Sequence, residues 1–239
     1  MFERLRSVFA RSQEPVHIQG IATPAQLALW AAAQRWSFDF QGEPARFQLS
    51  GTVVGQPWLL ESGSPTRDYL KGTELRARTD PHATPDASVM VISRTLKEVL
   101  EGRVYGALTE TLQTAVDESL PQEMRWLAMY EEVQWPELPP SFIRLFAVVG
   151  DRKEQARRWV NAAVVSHLLG SRSAEQAALP LVLMLSGGQL SLRMQTMDCY
   201  LPDLEYATTL LMAAATVAAQ KLPPASDSYA QSFGFHGAG

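Results

Sequence analysis

With only one cysteine, Cys199, in 239 residues, the chain can form no intrachain disulfide and no cysteine-based zinc site. A reducing cytoplasm is the compartment that fits. No apolar run reaches the roughly 18 residues a membrane span needs. The longest, Tyr206 to Ala219, contains three threonines and reads as a core helix. Arg4, Arg6 and Arg11 interrupt every apolar run that could serve a signal peptide. The four histidines, His17, His82, His167 and His236, are far apart and form neither HExxH nor HxH. No GxSxG is present, and Gly187-Gly188 lies between two strands, where a phosphate-binding loop would lead from strand to helix. We therefore expect no cofactor and no metal, and nominate no catalytic residue. A net charge of −4 argues against nonspecific nucleic-acid binding, which needs a basic face.

What is present describes a folded chain. Apolar residues make up 46% and charged residues 19%, a composition that buries a core without help from metals or disulfides. The strongest pattern lies between Leu179 and Leu222. Leu181 to Leu185 and Leu190 to Met194 flank Gly187-Gly188 as a hairpin, and Pro202-Asp203 opens a helix with almost no polar side.

Upstream, Thr23-Pro24-Ala25-Gln26 combines an N-cap, a first-turn proline and a capping-box glutamine, predicting a helix from Pro24 to about Arg35. Phe47, Leu49, Gly51 and Val53 alternate as a strand that turns at Val54-Gly55-Gln56 into Pro57 to Glu61. Tyr69 to Thr79 and Ala87 to Ser93 read as further strands, and Val104, Leu108, Leu112 and Ala115 as a helix. Met124 to Trp135 reads as a helical start that becomes a strand near Tyr130. Phe142 to Val149 is expected to be a strand. A single helix, with Ala156, Trp159, Val160, Ala163, Val164 and Leu168 as its apolar stripe, should follow Gly150-Asp151.

These elements predict an α+β fold of mostly antiparallel strands with packed helices, in two similar halves. Residues 1–15 are expected to form a short basic amphipathic helix carrying Phe2, Leu5, Val8 and Phe9, and residues 16–122 and 123–222 the halves. Residues 223–239, short of aliphatics, are expected to form a flexible tail.

The pattern Phe47-x-Leu49-x-Gly51 with Trp58 and Glu61, then Gly72-x-Glu74-Leu75 and Val89, continues with Phe142-x-x-x-Phe146-x-Val148, Asp151 and Ala156-Arg157, and ends in the strand-glycine-strand closing at Met194. In its order it resembles a family of uncharacterised bacterial proteins, a domain of unknown function sometimes found behind membrane-anchoring segments. The resemblance covers roughly residues 46–220, implies an α+β fold of two similar halves and implies no activity.

Two clusters could hold an anion. Glu74, Arg76 and Arg78, two apart on a strand, should share one face and offer forked guanidinium groups, with Arg67 a further contributor. Arg157 and Arg158 lie in the helix after Asp151, where cations and a helix N-terminus could act together. The bland alternatives are a solvated sheet face and a solvated helix turn. Cys199 is expected to be a buried free thiol, His167 a boundary residue and the tryptophans core.

Two functional readings result. The first is a noncatalytic interaction or accessory module, binding a protein partner or itself, with residues 2–12 and the tail phenylalanines Phe233 and Phe235 as recruiting features and peripheral membrane contact through 2–12 as a variant. The second is an enzyme or sensor holding a small anionic ligand between the halves at Glu74, Arg76 and Arg78.

Overall fold

Alternation of period two builds the sheet, and short turns reverse it. The computed structural model describes residues 21–42, 46–111, 120–170, 174–198 and 200–224. The predicted N-terminal helix and C-terminal tail, Cys199, and the far end of the helix expected around Leu112 and Ala115 lie outside the described residues.

The chain runs α1 (Pro24–Ala33), β1 (Ser37–Gly42), β2 (Arg46–Val53), β3 (Gln56–Gly63), β4 (Thr73–Thr79), β5 (Ser88–Ser93), α2 (Arg94–Thr111), α3 (Gln122–Met129), α4 (Pro140–Leu145), β6 (Phe146–Gly150), α5 (Lys153–Trp159), α6 (Ala162–Leu168), α7 (Ala174–Ala178), β7 (Leu181–Ser186), β8 (Gln189–Thr196) and α8 (Leu201–Lys221). The eight strands form one sheet in the order β1-β2-β3-β4-β8-β7-β5-β6. Every pairing is antiparallel, so the fold is the expected α+β type. β4 pairs with β8, and β5 lies between β7 and β6, so the two stretches read as halves share one continuous sheet.

The local signals explain most elements. Thr23 Oγ1 accepts from the Gln26 amide at 3.3 Å while Gln26 Oε1 accepts from the Thr23 amide at 2.9 Å, the reciprocal bonds of a capping box. Gly187 and Gly188 take φ values of 58° and 79°, the left-handed pair that a two-residue turn between β7 and β8 requires. α8 is buried on nearly every side, and its threonines are tolerated because each hydroxyl donates back along the helix. Thr208 reaches Leu204 O at 2.7 Å and Thr216 reaches Met212 O at 2.8 Å.

Five local expectations need correction. β1 is a strand that the sequence reading left out. β4 begins at Thr73, since Arg67 to Leu70 close a turn through the Leu70 amide and Arg67 carbonyl. α2 begins at Arg94, ten residues before Val104, directly out of β5. Phe142 to Leu145 is helical, because Pro140 supplies the fixed φ of a first helical turn after the extended N-cap Pro139, and only Phe146 enters the strand. The helix expected after Asp151 is two helices, because the Asn161 carboxamide accepts from Ala163 and Val164 at 3.0 and 3.2 Å and caps a new N-terminus.

One face of the sheet is covered from β2 to β6 and only partly at the edge strand β1. Leu49, Leu60, Leu75, Leu192, Leu183, Val91 and Val148 lie there beneath α8, α1, α5 and α6. The opposite face is covered over β7, β5 and β6, where Val182, Met184, Met90, Ile92, Ala147 and Val149 meet Leu96, Leu100, Met124 and Trp126 of α2 and α3. Among the described residues, this second face over β2, β3, β4 and β8 carries mostly polar side chains, with Pro57 and Leu59 among them, and the 64–72 loop. That half-covered sheet positions the site.

Candidate functional site

Alternation puts Glu74, Arg76 and Arg78 on the second face while Leu75 and Ala77 enter the core, as their spacing predicts. Strand register then sets their neighbours. Gln48, Glu61, Arg76 and Arg193 stand directly opposite one another across β2, β3, β4 and β8, and the same row continues as Val182, Ile92 and Ala147 under the second helical layer. It passes from polar through basic to apolar within one sheet.

Two like charges facing each other across neighbouring strands repel. Glu74 offsets that repulsion from beneath. Its carboxylate is wholly buried, forms an ion pair with Arg193 Nη1, lies 3.9 Å from Arg76 Nη1, and accepts from the Thr66 amide at 2.6 Å and the Thr66 hydroxyl at 2.9 Å. Arg193 also donates to Thr66 Oγ1 at 2.8 Å. On its other side Arg76 Nε lies 4.0 Å from Glu61 Oε2, and Gln48 Nε2 donates to Glu61 Oε1 at 3.3 Å. Glu74 thus acts as an anchor for guanidinium groups and has no free face for a ligand. Arg78, one step along the strand, is exposed and makes no ion pair among the described residues.

A second buried carboxylate ties the 64–72 loop to α3. Glu123 accepts from Arg67 Nε at 2.6 Å and from the Tyr69 hydroxyl, while Gln195 accepts from the Lys71 amide at 2.8 Å. Burial works against ionisation of Glu123, yet the bonds from Arg67 and Tyr69 outweigh it and hold the carboxyl below its usual range. Burial, followed by the adjacent Glu123 charge, pushes the Tyr69 phenol up. Arg67 is therefore committed to Glu123.

A cleft of about 350 Å³ opens beside this row, lined by Arg46, Gln48, Glu61, Ser64, Thr66 and Arg76 among others. Arg46 shares the open face of β2 with Gln48, so two arginines meet one glutamate at the cleft. Guanidinium groups preset by buried carboxylates can bind carboxylate or phosphate oxygens in forked geometry. Among the described residues no group of three or more histidine, aspartate or glutamate side chains could hold a metal ion.

No family model, curated protein or solved structure matches this chain.

The structure does not unite the two candidate clusters. Arg157 donates to Glu137 Oε1 at 2.6 Å and Arg158 to Glu154 Oε1 at 3.1 Å, both exposed on α5, whose Ala156 and Trp159 pack on the covered face of the sheet. Glu74, Arg76 and Arg78 project from the other face. Arg46, Glu61, Thr66 and Arg193 were missed as site residues. For Arg193 a signal existed: Leu190, Leu192 and Met194 alternate inward, which turns Ser191, Arg193 and Gln195 to the polar side. Thr66 and Arg46 gave none, because only the loop's path and the strand register bring them in. His167 is exposed in the last turn of α6, and Trp159 is core, its indole donating to Ala214 O at 3.0 Å.

Among the described residues no helix is long and apolar enough to cross a membrane.

Proposed function

We propose that this chain is a noncatalytic interaction module that works in a reducing cytoplasm and recognises an acidic segment of a protein partner on the open face of β2, β3, β4 and β8. One observation carries this reading: among the described residues half of a sheet face has no helical layer and bears Arg76 and Arg193, both held by the buried Glu74 carboxylate, with Arg78 exposed beside them. Charged groups preset in this way favour orientation and rate of encounter with an oppositely charged partner.

A photo-crosslinking residue at position 78 tests this in cells. Crosslinks to an acidic segment of a partner, lost in Arg76→Glu, are expected. Crosslinks that persist in that variant, or none at all, reject the reading.

The cleft at Arg46 and Arg76 favours a second reading, a small anionic ligand. Native mass spectrometry of gently purified protein distinguishes the two. Extra mass lost on denaturation, together with phosphate-dependent thermal stabilisation that disappears in Arg46→Ala, would make the small ligand primary.

A further inference from the structure

Three carboxylates around the sheet are closed by hydrogen-bonded cations. At the β6 edge Glu132, which bridges to Val149, accepts from Arg94 Nη2 at 2.9 Å and lies 3.3 Å from Lys97 Nζ. Glu123 holds Arg67 at 2.6 Å, and Glu74 holds Arg193. The charges at the cleft between Arg46 and Arg76 are not closed in this way. Arg76 is part-buried, and the carboxylate oxygens paired with it stand at 3.9 Å on Glu74 and 4.0 Å on Glu61, so its guanidinium donates no hydrogen bond among the described residues. Glu61 Oε1 accepts from Gln48 Nε2 at 3.3 Å, and Oε2 accepts nothing among the described residues. Arg46 is exposed, and among the described residues it makes neither a hydrogen bond nor an ion pair.

These three groups line one recess. Its volume of about 350 Å³ is near the lower end of the roughly 300–1,000 Å³ usual for small-molecule sites. Gly63 keeps it open: a Cβ there would have only Arg46 Cγ within reach, at 3.7 Å, so the wall between β2 and the 64–72 loop stays low because this position carries no side chain. Building on the small-ligand reading of this cleft, we propose that it binds an α-amino acid carrying a second carboxylate.

Charge and order select this class. Arg46, Glu61 and Arg76 together give the recess a net positive charge, and strand order sets Glu61 on β3 between Arg46 on β2 and Arg76 on β4. A phosphate or a plain dicarboxylate would satisfy the arginines, but it would bring its own charge against Glu61 and leave Oε2 without a donor. An acidic α-amino acid carries its ammonium on a carbon between two carboxylates, the same alternation with every sign reversed. Its carboxylates reach Arg46 and Arg76 in the forked geometry that guanidinium groups favour, and its ammonium donates to Glu61 Oε2. A site built to pair a polar group rejects the analogue that lacks it, because the site's own group is then left unpaired.

Isothermal calorimetry of the full chain with L-glutamate, glutarate, L-alanine and inorganic phosphate tests the proposal. L-Glutamate should bind about tenfold or more tightly than each of the others, since only it supplies both carboxylates and the ammonium. Glu61→Gln keeps the side-chain shape and breaks no close ion pair, so it should fold as the parent does and bring L-glutamate down to the level of glutarate. Gly63 has no left-handed backbone to strain, so Gly63→Leu should keep the parent's circular dichroism while blocking the recess and abolishing binding. Glutarate or phosphate binding as tightly as L-glutamate would overturn the amino-acid assignment and leave the small-anion reading standing. So would a preference for L-glutamate that survives Glu61→Gln, whereas binding that survives Gly63→Leu would place the site elsewhere and overturn both. Binding of none of the four would also remove both.

Discussion

Arg76 and Arg193 face each other on β4 and β8, 117 positions apart in sequence, and Glu74 is buried between them with no exposed surface. The pair joins strands from the two ends of the chain. Its energetics follow from burial: a carboxylate without solvent is stable only while its partners remain.

Glu74→Ala should accordingly destabilise the protein by about 3–5 kcal/mol, since it leaves two guanidinium groups and the Thr66 amide without their acceptor. Replacing the buried pair together, Glu74→Leu with Arg193→Met, should be markedly milder than Glu74→Ala alone. Urea denaturation at constant slope measures both, and equal losses would show that the charges matter less than the packing around them.

Gly51 on β2 faces a tryptophan cluster. A Cβ there would lie 2.8 Å from Trp36 Cδ1 and 2.9 Å from Trp58 Nε1, and Trp58 is almost wholly buried. Trp36 stands edge-on to both Trp30 and Trp58, at centroid separations of 5.3 and 5.0 Å, so displacement of one ring disturbs all three. Gly51→Ala should cost about 1–3 kcal/mol by overpacking and shift the tryptophan emission. Unchanged emission and stability would show that the cluster has room to relax.

Two left-handed positions are held by unsuitable residues. Val54, exposed in the turn between β2 and β3, has φ 46°, and Arg35, which closes α1, has φ 62°. The Trp36 amide donates to Ala31 O at 2.9 Å and the Arg35 amide to Ala32 O at 3.0 Å, the bonding pattern that favours glycine after a helix. Val54→Asn and Arg35→Gly should each stabilise by about 1 kcal/mol, raising the melting temperature by about 2–4 °C. Calorimetry checks both, and a fall in melting temperature would count against the strain.

Acid should loosen the β6 edge. Burial opposes ionisation of Glu132, but bonds from Arg94 and Gln134 prevail and bring its carboxyl down to about 2. A depressed folded-state value means that the stabilisation is fully present above the ordinary carboxyl range and is lost as pH falls from about 4.5 toward 2. Glu123, also held low, acts in the same direction. Urea midpoints of the parent chain should therefore decline through that window, and Glu132→Gln should flatten the decline; an equal slope in the variant would remove Glu132 from the account.

Local patterns reveal much of this architecture. The capping box at Thr23, the turn at Gly187-Gly188 and the alternation of Phe47 to Val53 are short-range features whose physical chemistry is complete within a few residues. The start of β6 was harder, because Phe142 and Phe146 fit a strand as well as they fit a helix and the decision rested on Pro139 and Pro140. β1 was hidden because only one of its faces meets the core, and that face is half exposed at the sheet edge.

The site was legible only in part. The sequence by itself determined that Glu74, Arg76 and Arg78 share a strand face, since alternation is a property of the extended backbone. It also determined that a buried helix closes the fold, since Leu201 to Lys221 has too few polar residues for any other place. The tertiary structure decided the rest. Pairing of β4 with β8 brought Arg193 to Arg76, the loop brought Thr66 to Glu74, and α5 fell on the opposite face with Arg157 and Arg158. Such contacts depend on which strands become neighbours, and that choice is made by the burial of the whole apolar surface at once, which no short window of sequence contains.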